Sequence, residues 1–124
     1  MLSDALPFTP ASSTSAPGEP LLTRLFDELI KQLSAFKEYN SQKDYAQAND
    51  ALQRAQRILR HLDATLDRQY EVSHGLSALY DYFIRRTVEA NLRKDDAPID
   101  EILPMVTELR DSFIQADRLA RHGG

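Results

Sequence analysis

Hydrophobic residues recur at steps of three and four along most of the chain, which is the spacing that places side chains on one face of an α-helix. The first two such segments contain Leu22, Leu25, Phe26, Leu29, Leu33 and Phe36, and then Tyr45, Ala48, Leu52, Ala55, Leu59, Leu62 and Leu66. The third contains Val72, Leu76, Leu79, Tyr80, Phe83, Thr87 and Ala90, and the fourth Ile99, Ile102, Val106, Leu109, Phe113, Ala116 and Ala120. No segment has the two-residue alternation of a strand, so the pattern predicts four amphipathic helices.

Residues that break helices are scarce in this part of the chain. From Leu21 to Arg121 the only glycine is Gly75 and the only prolines are Pro98 and Pro104. Helices of about twenty residues, each roughly 30 Å long, would therefore be joined by turns too short for a crossover and must run antiparallel to their neighbours. The fold predicted is all-α, an antiparallel up-down four-helix bundle.

Two local signals concern the helix boundaries. Asp44 is a candidate N-cap for the second helix, with Gln47 three residues later to complete a capping box. Pro104 lies inside the fourth segment, where a proline removes one backbone hydrogen bond and clashes with the preceding turn. We expect either a kink at this point or a short separate helix before it.

The first twenty residues differ in composition from the rest. They contain four of the six prolines, together with a serine- and threonine-rich stretch. Such a segment buries too little apolar surface to offset its ordering entropy. We predict that residues 1–20 form a flexible tail and residues 21–121 form the bundle domain. An alternative is that Leu6 and Phe8 dock transiently on a groove of the bundle.

Composition narrows the class of protein. The 124 residues are 42% hydrophobic and 27% charged, as in ordinary globular proteins, and no apolar run is long enough for membrane insertion. The formal net charge of −4 argues against a nucleic-acid partner. Cysteine is absent and the N-terminus does not have the pattern of a secretion signal, which favours a cytoplasmic protein.

The sequence offers little for catalysis. A di-iron site in a helical bundle needs two Glu-x-x-His motifs, and the chain has one, Glu71 to His74 at the start of the third helix. There is no glycine-rich phosphate loop and no cysteine nucleophile. We therefore predict neither an enzyme nor a metal or cofactor site, with a metal-dependent bundle enzyme as the alternative.

Some apolar residues lie outside the four stripes. Tyr82 points away from the stripe of the third helix and Val88 lies on its other shoulder, while Ile58 and Met105 lie at the margins of theirs. These four side chains are candidates for an exposed groove that binds an amphipathic helix of a partner. They would otherwise widen the core of a monomer, or pair two copies in a homodimer.

Three strings resemble the FliS family of flagellin-specific export chaperones. The third helix contains Leu79-Tyr80-Asp81-Tyr82-Phe83-Ile84-Arg85-Arg86, then Glu89-Ala90-Asn91 and Lys94-Asp95. The fourth contains Thr107-Glu108-Leu109-Arg110-Asp111, and the second contains Ala48-Asn49-Asp50-Ala51-Leu52. The resemblance extends over about residues 20–115.

This resemblance implies a function as well as a fold. The chain would be a cytoplasmic, non-enzymatic bundle that binds the C-terminal helices of newly made flagellin and prevents premature polymerisation. It would then deliver flagellin to the flagellar type III export gate, a component of which would be a second partner. In that role Ile58, Tyr82, Val88 and Met105 are the expected flagellin-binding residues.

Overall fold

A computed structural model describes residues 20–123, which form four α-helices. The helices are α1 (Leu21–Ser41), α2 (Tyr45–Ala64), α3 (Val72–Arg93) and α4 (Ala97–Gly123). The predicted tail lies outside the described residues except for Pro20, which is the N-cap of α1.

The helices form a ring in which each contacts its two neighbours. α1 packs on α2 and α4, and α3 packs on the same two helices, while within the described residues the backbones of the diagonal pairs do not approach as closely. Because short turns join successive helices, their directions alternate, and the predicted all-α, up-down four-helix bundle is confirmed. The α1–α2 contact is the most extensive of the four and the α3–α4 contact the least.

The predicted stripes meet in a single core. Among the largest fully buried side chains are Phe26, Leu29, Leu33, Phe36, Leu52, Leu59, Leu62, Tyr80, Phe83, Ile99, Ile102 and Val106. Every helix contributes to this set. Burial of such side chains is the main favourable contribution to folding, at about 1.5–3 kcal/mol for each fully buried one. Packing of the amphipathic faces thus fixes how the helices are arranged.

Two predictions about local helix structure, the Asp44 N-cap and the effect of Pro104, have different outcomes. The Asp44 carboxylate accepts a hydrogen bond from the Gln47 backbone N–H at 3.3 Å, so the predicted N-cap is confirmed. The prediction of a short separate helix before Pro104 is wrong, because α4 continues through this residue. Ile102 and Val106, on either side of the proline, are both fully buried and keep the helix against the core.

Side-chain amides join the helices at the end of the bundle where α1 and α3 finish. Asn40 Nδ2 donates to the Lys94 carbonyl and to Asp96 Oδ1, both at 2.9 Å. Asn91 Nδ2 donates to Asn49 Oδ1 at 2.6 Å and so connects α3 to α2. Lys94 ends α3 in the left-handed conformation, with a φ of 52°. This end of the bundle is therefore held by polar contacts as well as by packing.

Candidate functional site

The structure does not bring the four predicted groove residues together. Ile58 is only 7% exposed and belongs to the core, so it has almost no surface to offer a partner. Val88 is 40% exposed and lies three residues before Asn91, on the shoulder of α3 that faces α2. Tyr82 and Met105 are half-buried against the core and lie on the facing sides of α3 and α4. Of the four, only Tyr82 and Met105 lie on facing sides of two neighbouring helices, and their binding of a partner stays a prediction.

Two half-buried leucines extend this pair along the bundle. Leu79 precedes Tyr82 by three residues on α3, and Leu109 follows Met105 by four on α4, so each shares a helix face with its neighbour. Leu79, Tyr82, Met105 and Leu109 are here called the α3–α4 groove. It lies between the two helices that have the least extensive of the four contacts, and its four side chains are partly accessible.

Charged residues border the α3–α4 groove at one end. The Glu101 carboxylate on α4 accepts hydrogen bonds from the Tyr82 hydroxyl and from Arg86 Nε, the latter at 2.7 Å. Arg86 also forms an ion pair with Glu89, at 2.5 Å between Nη1 and Oε1. The Arg85 guanidinium carbon lies 5.9 Å from the centre of the Tyr82 ring. We call Tyr82, Arg86, Glu89 and Glu101 the Glu101 cluster.

The hydrogen bond between Tyr82 and Glu101 affects both groups. It lowers the pKa of the Glu101 carboxyl, because the charged form is the better acceptor, and Arg86 adds to this effect. The same bond raises the pKa of the Tyr82 hydroxyl, because the neutral phenol is the donor. At neutral pH the cluster therefore holds an ionised glutamate between a phenol and a guanidinium.

The other side of α3 has a different surface. A shallow cleft between α2 and α3 is lined by Arg60, Asp63, Ser77, Ala78, Tyr80, Asp81 and Ile84. Ser77 Oγ donates to Asp63 Oδ1 at 2.6 Å. Burial, helped by the negative charge of Asp63, raises the pKa of Tyr80 to about 12. A serine that donates to a carboxylate without a histidine between them is not the arrangement of an activated nucleophile.

The two residues considered for metal binding lie close together, since the His74 backbone N–H donates to the Glu71 carbonyl at 3.0 Å. Glu71 and His74 are exposed where α3 begins, and between residues 20 and 120 no three His, Cys, Asp or Glu side chains are grouped so that they would hold a metal ion. In the same range, none of the helices is apolar over a length that would span a bilayer.

Sequence reasoning missed the Glu101 cluster and the asparagine contacts. Glu101 and Arg86 are fifteen residues apart on different helices, so their contact depends on the register between α3 and α4. Asn49 and Asn91 could have been recognised as candidates for a contact between helices, because asparagine is a poor residue for a helix interior and both lie within predicted helices. Their hydrogen bond between α2 and α3 explains their presence there.

The fold defines a class, namely a small antiparallel four-helix bundle with partly accessible apolar side chains between α3 and α4. A family model described as "Flagellar protein FliS" matches residues 9–120. Similar proteins include the flagellar secretion chaperone FliS of Bacillus subtilis, 35% identical over 114 residues, which are 90% of this chain and 85% of that protein.

Two more relatives have the same name. The flagellar secretion chaperone FliS of Salmonella typhimurium is 34% identical over 104 residues, covering 82% of this chain and 77% of the relative. The flagellar secretion chaperone FliS of Escherichia coli is 31% identical over 105 residues, which are 80% of this chain and 75% of that protein. This chain belongs to the FliS family, a family of flagellar secretion chaperones and not of enzymes. The predicted resemblance is confirmed, and so is the prediction that the protein is not an enzyme.

Proposed function

We propose that this protein binds the C-terminal helices of flagellin in the cytoplasm, prevents their premature polymerisation and delivers flagellin to the flagellar type III export apparatus. The observation that carries the proposal is the family match over residues 9–120, together with relatives that are named flagellar secretion chaperones. The α3–α4 groove supplies the binding surface in this proposal.

The chemistry of the groove suits an amphipathic helix. Leu79, Tyr82, Met105 and Leu109 offer a partly accessible apolar floor, on which a client helix can bury its apolar stripe. The Glu101 cluster offers charged groups of both signs at one border, where the polar face of the same helix would lie. Until a filament subunit assembles, its terminal helices need such a substitute surface, since exposed apolar stripes otherwise associate with one another.

Tyr82 and Met105 are the expected main contacts. Large aromatic side chains dominate binding energetics because they bury much area for little loss of side-chain entropy. Methionine adapts its shape to different partners and is common in grooves that bind helices. The delivery step needs a further surface that the export gate recognises on the loaded complex.

The test is binding of a synthetic flagellin C-terminal segment to the full chain and to two aspartate variants, measured by calorimetry. Met105→Asp introduces a charge into the α3–α4 groove, and we expect at least about tenfold weaker binding, as for a central interface residue. Val88→Asp adds the same charge on the opposite shoulder of α3 and is the matched control. We expect it to bind like the unchanged protein.

Circular dichroism must show that both variants fold. Absence of any complex with segments from several flagellins would contradict the proposed client. Equal weakening by both variants would contradict the α3–α4 groove as its site. Size-exclusion chromatography with light scattering on the same samples gives the stoichiometry of the complex. A stable dimer of the free chain would instead favour the hypothesis that these side chains pair two copies in a homodimer.

A further inference from the structure

The α3–α4 contact differs from the others in how it is held. It is the least extensive of the four. Two side-chain hydrogen bonds join α3 to α4 near the start of α4, and both end on the Glu101 carboxylate, with Tyr82 and Arg86 as the donors. A single exposed side chain, that of Glu101, therefore accepts both of these hydrogen bonds.

Two other helix pairs are attached near both ends. The connections between α1 and α4 are Asp27 to Arg110 and Lys37 to Asp100. Those between α2 and α3 are Asn49 to Asn91 and Asp63 to Ser77. The α1–α2 pair has the most extensive contact of all. Between α3 and α4 the hydrogen bonds to Glu101 lie at one level, and within residues 76–113 the structure gives no side-chain hydrogen bond from the region around Leu79 to that around Leu109.

The backbone of α4 is also weaker close to this attachment. Pro104 lies inside the helix, three residues after Glu101, and has no N–H to donate to the Asp100 carbonyl. The missing hydrogen bond falls in the turn that joins Glu101 to Met105. A change in the direction of α4 costs less there than in an unbroken helix.

From these three observations we infer that Glu101 is a positioning residue that holds the α3–α4 groove narrow in the free protein. Release of Tyr82 and Arg86 from its carboxylate lets the two helices separate at the Pro104 turn and widens access to the groove. The bonds are exposed to solvent, so water or polar groups of a client can replace them, and the opening is reversible. The inference rests on the proposed function only for the client, because the opening is a property of the free chain.

The experiment is hydrogen–deuterium exchange on the full chain, read by mass spectrometry of peptides. Glu101→Ala removes the acceptor of both bonds. Glu108→Ala is the matched control, since it removes the same charge from the α3-facing side of α4 at an exposed position for which the described structure gives no side-chain hydrogen bond. We expect Glu101→Ala to accelerate exchange at least about threefold in peptides around residues 79–86 and 99–106. Exchange in α1 and α2 should be unchanged.

A second variant covers the possibility that Glu101→Ala unfolds the chain. Tyr82→Phe removes one of the two donors and keeps the ring, so it should accelerate exchange in the same peptides by a smaller factor. Exchange identical to that of Glu108→Ala in both variants would overturn the inference. An acceleration spread equally over all four helices would also overturn it, because that is general destabilisation.

The flagellin segment separates this inference from the proposed function. If Glu101 controls access, Glu101→Ala should associate with the segment faster than the unchanged chain does. If no variant binds any segment while the exchange pattern is as expected, the proposed client is wrong and the role of Glu101 stands. If the segment binds and the exchange of Glu101→Ala matches that of Glu108→Ala, the proposed function stands and the role of Glu101 is refuted.

Discussion

Replacement of Pro104 by alanine tests how far the α3–α4 side of the bundle is weakened by its own sequence. Pro104 lies in the interior of α4 and is exposed, so its ring supplies little to the core. Alanine restores an N–H that can donate to the Asp100 carbonyl and removes the clash with the preceding turn. The change therefore acts on the helix backbone and leaves the packing of the core almost untouched.

The expected size follows from opposing contributions. A proline in a helix interior costs about 3 kcal/mol relative to alanine. Its restricted backbone lowers the entropy of the unfolded chain, which returns about 0.4–1 kcal/mol of stability that alanine forfeits. The net gain in the free energy of unfolding should thus be about 2–2.6 kcal/mol. For a domain of this size, that corresponds to a rise in Tm of roughly 5–15 °C.

The assay is thermal and urea unfolding followed by circular dichroism. Ser112→Ala is the control, because it places alanine at another exposed position of α4 where no proline is removed. It should gain only about 0.5 kcal/mol from helix propensity. Pro104→Ala should also slow hydrogen exchange around Glu101 and Met105, the opposite of the effect expected for Glu101→Ala.

An unchanged or lower Tm for Pro104→Ala would refute this reasoning. It would mean that the packing around the proline depends on its ring, and that the missing hydrogen bond does not weaken α4. A higher Tm with unchanged exchange near Glu101 would be equally informative. The proline would then lower global stability without acting in the opening between α3 and α4.

Two further predictions concern the core. Burial raises the pKa of Tyr80 to about 12, so the neutral phenol stabilises the fold at neutral pH and this contribution is lost as the pH rises from about 10 through 12. Absorbance titration at 295 nm should show a late tyrosine phase, to which Tyr82 also contributes because its pKa is raised as well. Tyr80→Phe should lower the amplitude of this phase, and an unchanged amplitude in that variant would contradict the assignment. Thr87 is fully buried and its hydroxyl donates to the Ile84 carbonyl of its own helix at 2.7 Å. Thr87→Val should therefore change the free energy of unfolding by less than about 1 kcal/mol, whereas Thr87→Ser should lower it by about 1 kcal/mol because it removes the buried methyl group. Urea unfolding measures both changes. A serine variant more stable than the valine variant would refute the reasoning.

The sequence was sufficient for the features that depend on near neighbours. The stripes of α1 to α4 follow from a period of 3.6 residues, and the Asp44 cap follows from the residue type and its spacing to Gln47. The four stripes indicated the number of helices. The scarcity of glycine and proline from Leu21 onward indicated their length, and hence the bundle. Each of these inferences uses positions within one or two helical turns of each other.

The candidate site depended on information that a helical wheel does not contain. A wheel placed Ile58 at a margin of its stripe, but the structure buries that margin within the bundle core. It placed Tyr82 and Val88 on opposite shoulders of α3, which face α4 and α2 respectively. Only the order of the helices around the bundle tells which shoulder borders which groove.

The same limit explains why α4 combines features that looked unrelated in the sequence. Pro104 was expected either to kink α4 or to follow a short separate helix, and the helix is continuous through it, with buried residues on both sides. Glu101 acquires its importance only from the register that places Tyr82 and Arg86 opposite it. If the proposed function is correct, stability and access oppose each other here. Each bond added between α3 and α4 would raise the free energy of unfolding and slow entry of the client helix, so the variant that unfolds at the highest temperature should be the slowest to bind flagellin.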